Sequence, residues 1–344
     1  MGRRLDEARA PSLFGRCRDP SPGCRGDPGY PSAVARLPAS TGALPADLPG
    51  LRAALLAWFD RAGRELAFRA GRDPDPWAVL VSEVMAQQTQ VARVAGKWRA
   101  FMDRFPTPAA LACAPTGHAI RAWQGLGYNR RAIDLQRAAR AIVLAGGTVP
   151  GDVESLRALP GVGSYTARAV AAIAFGRPVG AVDVNVRRVV GRLTGADPAP
   201  LPQREVQAAA DALVDPARTG DWTHALMDLG ATVCRPARPD CAGCPVRAWC
   251  AFAGAGSRTP ISARAAVPAR GRRAAVPFES TTRWLRGRIV DRLRDLPPGT
   301  AVAFAGPMGL HAPEAVSAAL ASLAADGLVE LDVFGAARLA GERA

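Results

Sequence analysis

At 344 residues the chain has room for about two domains and a sizeable core. Its 49 % hydrophobic content and mean hydropathy of +0.02 exclude a wholly disordered protein, and a net charge of +14, from 44 Lys and Arg against 30 Asp and Glu, favours a polyanionic partner. No apolar run approaches the ~20 residues a membrane span requires and no signal-like stretch opens the chain, so a cytoplasmic location is expected.

Residues 1–47, rich in Arg, Pro, Gly and Ser without periodicity, read as a disordered tail. From 48 to 253, short Ala- and Leu-rich segments are broken by Pro and Gly. Leu51, Leu55, Trp58 and Phe59 recur at helical spacing, as do Val79, Val84 and Val91, with no alternating β-branched runs between them. The expected fold is therefore mainly α. Residues 254–275 return to Gly, Arg, Ala and Pro and read as a linker. In 276–344 the pattern predicts helices over 281–296 and 312–325, then a hairpin pairing 328–333 with 336–339. Pro297-Pro298-Gly299 ends the first helix, Gly327 the second, and Gly335 turns the hairpin, giving a small winged-helix-like α+β module.

Cys17 and Cys24 lie in the tail and Cys113 stands alone, whereas Cys234, Cys241, Cys244 and Cys250 crowd into seventeen residues as C-x6-C-x2-C-x5-C. Four thiolates in one loop are enough for a tetrahedral metal or an iron–sulfur cube. Structural zinc sites usually present two C-x2-C knuckles and this loop has one, which favours the cluster and leaves zinc as its rival. Either group would staple the loop rather than do chemistry, and Arg235, Arg238 and Arg247 would put positive charge where phosphates could meet it.

Leu159-Pro160-Gly161-Val162-Gly163-Ser164-Tyr165-Thr166-Ala167 joins a helix ending near Leu159 to one running through Arg168 to Phe175. Gly161 and Gly163 let the turn expose backbone N–H groups at the start of the second helix, where the dipole favours an anion such as a DNA phosphate.

With Asp183, eighteen residues beyond Tyr165, and the cysteine loop, this segment resembles the helix-hairpin-helix DNA glycosylases of the endonuclease III superfamily. Within that superfamily, Ser82-Glu83-Val84-Met85-Ala86-Gln87-Gln88-Thr89-Gln90-Val91 is similar to the corresponding run of MutY-type adenine DNA glycosylases. The resemblance runs over about residues 51–250. It implies double-stranded DNA with A:8-oxoguanine or A:G mispairs as the partner and a [4Fe-4S] cluster on Cys234, Cys241, Cys244 and Cys250. It further implies hydrolysis of the adenine N-glycosidic bond by a monomer associated with the nucleoid when engaged on DNA.

Superfamily members that nick the strand carry a lysine two residues after the second hairpin glycine, which forms a Schiff base with the sugar. Tyr165 stands there, and the one lysine of the chain, Lys97, lies in a predicted helix far from any motif. A monofunctional enzyme is expected. Breaking the bond needs a proton on the leaving base and a negative group beneath the oxocarbenium ion, the task glycosidases give to two carboxylates. The resemblance assigns Glu83 as the acid that protonates adenine N7 and later guides water, and Asp183 as the group that stabilises or captures the sugar cation. Val81, Val84 and Met85 around Glu83 would raise its pKa. The competing readings are structural: a first-turn helix acid for Glu83 and a helix N-cap for Asp183.

By the same resemblance Tyr165 lies near the scissile sugar and Asn185 beside Asp183 and its water. Gln88 and Tyr128 insert into the duplex, Leu126 borders the opposite base with Thr89 helping, and Phe68, Arg69 and His224 line the adenine pocket. His224 stands where Gln or Glu is usual and Val184 where Gly is usual. Residues 276–344 are too short for the C-terminal domain, related to nucleotide hydrolases, that many members use to read 8-oxoguanine. Its recognition would then rest on Gln88, Thr89 and Leu126, aided by the basic C-terminal module. Two other readings remain: a mismatch-specific thymine glycosylase on the same scaffold, and a non-catalytic DNA-binding iron–sulfur protein.

Overall fold

Asp47 starts the first helix, its carboxylate accepting from the Gly50 amide at 2.9 Å, and α1 (Leu48–Ala62) then buries Leu51, Leu55 and Leu56 along one stripe. The computed structural model describes residues 44–69, 74–195, 201–254 and 277–343, all within one unit, Arg36–Ala344. The expected tail up to residue 43, with Cys17 and Cys24, and the expected linker beyond Gly254 lie outside the described residues. Among the described residues, no helix is long and apolar enough to cross a membrane.

Helix α2 (Pro76–Ala86) begins with proline at its first position behind Asp75, whose side chain accepts from Trp77 N at 3.1 Å. It is buried from Trp77 to Met85 on almost every side, so it is the central rod of its half of the molecule rather than an amphipathic surface helix. Around it α3 (Val91–Arg104), α4 (Pro108–Cys113), α5 (Thr116–Ala122), α6 (Arg130–Leu144) and α7 (Val153–Ala158) contribute Phe101, Leu111, Ala119, Leu135 and Leu156 to one core with Trp77 and Leu80. Truncating a side chain as enclosed as Leu80 costs about 2–5 kcal/mol.

A second core joins α1 to α9 (Val184–Leu193), α10 (Gln203–Leu213) and α11 (Thr219–Asp228) through Leu55, Val190, Leu213 and Trp222. Helix α8 (Ser164–Phe175) belongs to both: Val170 and Ala171 face the first core and Ala169 the second. Its small side chains let helices approach from either side, which places the start of α8 between the two halves.

After α11 a single π turn, Leu229–Val233, leads into the cysteine loop and the short α12 (Ala251–Gly254). The C-terminal segment forms α13 (Thr282–Arg294), α14 (Pro313–Ala325) and a hairpin of β1 (Val329–Leu331) and β2 (Ala337–Leu339) in the register Val329↔Leu339 and Leu331↔Ala337. A bridge from Val302 to Ala337 widens the hairpin. These elements fall within a residue or two of their sequence expectation. Their core is shared: Ile120 of α5 and Ile133 of α6 pack with Ile289, Leu320 and Leu339. Arg294 of α13 donates to the Ile120 carbonyl at 3.0 and 2.8 Å, and Arg121 pairs with Glu342 at 2.7 Å.

Candidate active site

Among the described residues, two non-glycine residues adopt a left-handed backbone, Gln88 (φ 53°) and Tyr128 (φ 45°), and they sit on neighbouring loops after α2 and before α6. Arg131 locks these loops together. Its guanidinium donates to the carbonyls of Val84, Met85, Leu126 and Gly127 at 3.0–3.1 Å, to that of Gln87 at 2.5 Å, and to the Thr89 hydroxyl at 3.0 Å. Burial lowers its pKa to about 10, still charged at neutral pH. Tyr128 is exposed, held by cation–π contacts to Arg131 and Arg283 at 5.6 and 4.1 Å. The Leu126 side chain is 3 % exposed and packs in the first core, while its backbone carbonyl accepts from Arg131 and from the Thr89 hydroxyl. Thr89 is likewise engaged within the protein.

The helix-hairpin-helix runs from α7 through Leu159–Gly163 into α8. Gly161 requires its type: φ is +76° and a Cβ would meet that of Asp134 at 2.8 Å. Gly163 is in an extended conformation with open space around it, and it caps α8 without a side-chain bond, leaving first-turn amides free for an anion. Gln87 joins the hairpin to α2, donating to Thr166 Oγ1 at 3.1 Å.

Glu83 is the eighth residue of α2, which overturns the first-turn reading; it is buried there, with Oε2 lacking any hydrogen-bond partner. Burial raises its pKa to about 7 against the lowering effects of the Tyr165 hydroxyl and Arg69, while the Asp183 charge adds to the rise. Tyr165, in the first turn of α8, is held protonated by burial and then by Glu83 and Asp183, and its hydroxyl also reaches Met227 Sδ at 3.7 Å. The two carboxyls therefore act on each other and on one phenol. Asp183 also caps α9: Oδ1 accepts from the Asn185 and Val186 amides at 2.8 and 2.7 Å, and Oδ2 from Asn185 Nδ2 at 3.0 Å. Val184 beside it is 77 % exposed, so its side chain fits where it stands.

Behind Glu83, Arg69 pairs with Asp228 at 2.9 Å, and Arg64 pairs with the same carboxylate at 2.6 Å. His224 stacks on Phe59 at 6.4 Å, and burial followed by Arg69 drives its pKa down to about 3. His224 Nδ1, Arg69 Nε and Glu83 Oε2 are buried polar atoms without partners. Phe68 packs edge-on against Trp98 at 6.4 Å, supporting the first core as well as the strand of chain that carries Arg69. Lys97, expected far from any motif, is not remote from every one: its Cε lies beside Gly125, at the head of the Tyr128 loop.

A helix-hairpin-helix leading into a buried acid, a phenol and a capping aspartate is matched by comparison with known proteins. Residues 81–216 fit the HhH-GPD superfamily of base excision DNA repair proteins. An adenine DNA glycosylase of Mycolicibacterium smegmatis is 41 % identical over 292 residues, covering 84 % of this chain and 95 % of that one. The chain belongs to the adenine DNA glycosylases of this superfamily. Among solved structures of the superfamily's fold, a thermostable thymine-DNA glycosylase has a TM-score of 0.56 at 27 % identity, covering 60 % of this chain and 97 % of the other. Endonuclease III trapped as a covalent intermediate on DNA has a TM-score of 0.52 at 26 % identity, covering 61 % and 97 %.

In this adenine DNA glycosylase the four loop cysteines line one small cavity of about 20 Å³ together with Arg192. Arg192 donates to Cys234 Sγ at 3.2 Å and stacks on Phe252. Burial pushes the Cys244 thiol up to about 11, and Cys234, Cys250 and Cys241 add to the rise, so the four sulfurs feel one another. Among the described residues, no three His, Cys, Asp or Glu side chains draw together as a single-ion site. The four thiols line one shared space, and an all-sulfur donor set is one that zinc or an iron–sulfur cluster accepts. Arg131, Asp228, Arg188 and Arg192 were not singled out from the sequence. An arginine or aspartate amid apolar helical residues was the available signal for Asp228 and Arg192.

Proposed function

We propose that the chain hydrolyses the N-glycosidic bond of adenine mispaired with 8-oxoguanine or guanine in duplex DNA, using Glu83 as acid and Asp183 as the anionic partner of the sugar. The observation that carries this is Glu83: a buried carboxyl with a pKa of about 7 and an unpartnered Oε2, beside Tyr165 and acting on Asp183. At neutral pH a substantial fraction of it holds a proton to give.

Adenine must leave the stack to reach it. Protonation at N7 by Glu83 lets the base depart with the bonding electrons, and the positive charge left on the sugar faces Asp183. Asp183 is fixed for this by two backbone amides and the Asn185 side chain. Glu83, now a carboxylate, takes a proton from the water that attacks the sugar, which restores the acid. Tyr165, neutral and in the lysine position, donates a hydrogen bond in the site and forms no imine. Neutral His224 and Arg69 present their unpartnered nitrogens to the base, and Phe68 backs the wall. Gly161 and Gly163 hold a phosphate on the α8 amides, while Gln88 and Tyr128 enter the duplex.

Cys234, Cys241, Cys244 and Cys250 would hold a [4Fe-4S] cluster, whose role is to brace the loop carrying Arg235, Arg238 and Arg247 against DNA. The deciding experiment uses an A:8-oxoguanine duplex: wild type releases free adenine and Glu83→Gln does not. Equal release by both, or thymine released from a T:G duplex in its place, defeats the reading.

A further inference from the structure

Three consecutive residues leading into α6 are each held from the C-terminal segment. The guanidinium carbon of Arg283, on α13, lies 4.1 Å from the centre of the Tyr128 ring. Asn129 Oδ1 accepts from Arg294, also on α13, at 2.9 Å, and Arg130 reaches Asp326, just past α14, at 3.4 Å. An asparagine immediately before a helix ordinarily turns its side chain back to cap a first-turn amide. Asn129 makes no such bond, and its oxygen goes to Arg294 instead. Arg294 is buried and anchored, donating twice to the Ile120 carbonyl and pairing with Asp291 at 3.0 Å. On the other side of Tyr128 the catalytic half holds its own loop: Trp123 and Arg131 donate to the Gly127 carbonyl at 3.2 and 3.1 Å. Tyr128, between the two anchorages, keeps φ at 45°, a conformation that a residue with a side chain retains only where its surroundings over-determine it.

We infer that the C-terminal segment is a brace for Tyr128, and that Arg283 is a positioning residue that fixes the tyrosine ring before DNA arrives. The inference rests on the proposed function, in which Tyr128 enters the duplex. It adds the route by which α13 acts on DNA: through the tyrosine, and not by a contact of Arg283 with the nucleic acid. The ring is 42 % exposed, and the support from its own half is Arg131 at 5.6 Å. The closer guanidinium is the one from α13, attracted by the ring quadrupole. A side chain ordered in advance does not lose its freedom again on binding, so affinity gains by what the brace has already fixed. The Arg294 bond works in the same direction. Released from it, Asn129 would turn to cap α6, and the backbone next to Tyr128 would lose one of its constraints.

The chain has three tyrosines, so fluorine NMR of fluorotyrosine-labelled protein reads the ring without DNA, with Tyr128→Phe assigning its signal. Arg283→Ala removes an exposed side chain and is expected to move the Tyr128 signal, and Arg283→Lys, which keeps a cation over the ring, to restore most of its position. Affinity for an A:8-oxoguanine duplex is then measured by fluorescence anisotropy for Arg283→Ala, Tyr128→Ala and the two combined. All these proteins carry Glu83→Gln, and the salt is low enough for Tyr128→Ala to bind. Arg283→Ala should weaken binding about two- to fivefold where Tyr128 is present, the size of an exposed cation–π contact, and leave it unchanged where Tyr128 is absent. An equal loss in both backgrounds means that Arg283 touches the DNA itself and overturns the brace. No loss in either background overturns it too, as does an unmoved fluorine signal. Adenine release by otherwise wild-type protein is assayed in parallel at saturating enzyme. Its absence overturns the proposed chemistry and leaves the NMR result standing.

Discussion

Arg188 donates to the backbone carbonyl of Cys234 at 2.8 Å, and the same guanidinium reaches the Asn185 side-chain oxygen at 3.0 Å. Asn185 in turn donates to Asp183 Oδ2 at 3.0 Å. The cysteine loop and the aspartate are thus two ends of one hydrogen-bonded chain. Arg188→Ala leaves the Asn185 amide free to rotate and Asp183 with one donor fewer. Loss of a hydrogen bond to a charged group is worth about 1.5–3 kcal/mol, so single-turnover adenine release should fall about tenfold to a hundredfold at saturating enzyme. Arg188→Lys should not restore it, because one ammonium cannot span both acceptors. A full rate in either variant removes the coupling.

Glu83 sets the pH response. A carboxyl whose folded pKa is about 7 against an ordinary 4.5 must give up its proton as pH rises through 7, so the acid-dependent rate should decline above that point. The same shift acts on stability. Between pH 4.5 and 7 the folded state binds more protons than the unfolded one, so stability falls with rising pH across that window and the full cost is present above it. Glu83→Gln should therefore be more stable than wild type at pH 8, by up to about 3 kcal/mol, and show no gain at pH 4. Urea titrations at the two pH values read this directly.

His224 should stay neutral wherever the protein is folded. Its pKa of about 3 keeps one donor and one acceptor on the ring, and Nδ1 has no partner among the protein groups. An imidazole that titrates near 6.5 in NMR spectra would contradict the enclosed site. His224→Gln retains a donor and an acceptor and should keep adenine release within about tenfold, whereas His224→Ala leaves the base unpaired and should lose more.

The cysteine loop makes a separate prediction. Protein purified without oxygen should contain about four irons and four sulfides per chain, and Cys244→Ser should lower both together with duplex affinity. Zinc at one equivalent in place of iron would instead reinstate the rival reading of the C-x2-C knuckle.

Much of this was legible in the sequence because local rules and function coincide. Glu83 followed from its motif and apolar neighbours, and the hairpin from Gly161, whose positive φ has no alternative residue. Asp183 proved to be a helix cap, and that capping geometry is also what aims its carboxylate. The facing of Leu126 was not legible, because a loop motif does not say which way a side chain points; Arg131 binds its carbonyl and the leucine side chain lies in the core. Arg131, Arg188 and Asp228 stayed hidden because the loops and helices they tie together lie 42 to 164 residues away, beyond any local pattern. The docking of α13 on α5 and α6 was equally invisible, since it depends on Ile120 and Ile133 being left uncovered by their own half of the molecule.

In the proposed reaction Tyr165 decides whether the strand is cut. It occupies the first turn of α8, against Glu83 and Asp183, where a lysine amine would reach the sugar carbon exposed by loss of the base. Lys97 stands instead on α3, with its Cε beside Gly125. Tyr165→Lys should therefore gain strand cleavage, with a protein–DNA adduct trapped by borohydride as the imine is reduced. Wild type should give no such adduct, and Lys97→Ala should match wild type in both adenine release and trapping. An adduct in wild type that disappears in Lys97→Ala would place the nucleophile on α3 and remove Tyr165 from the explanation.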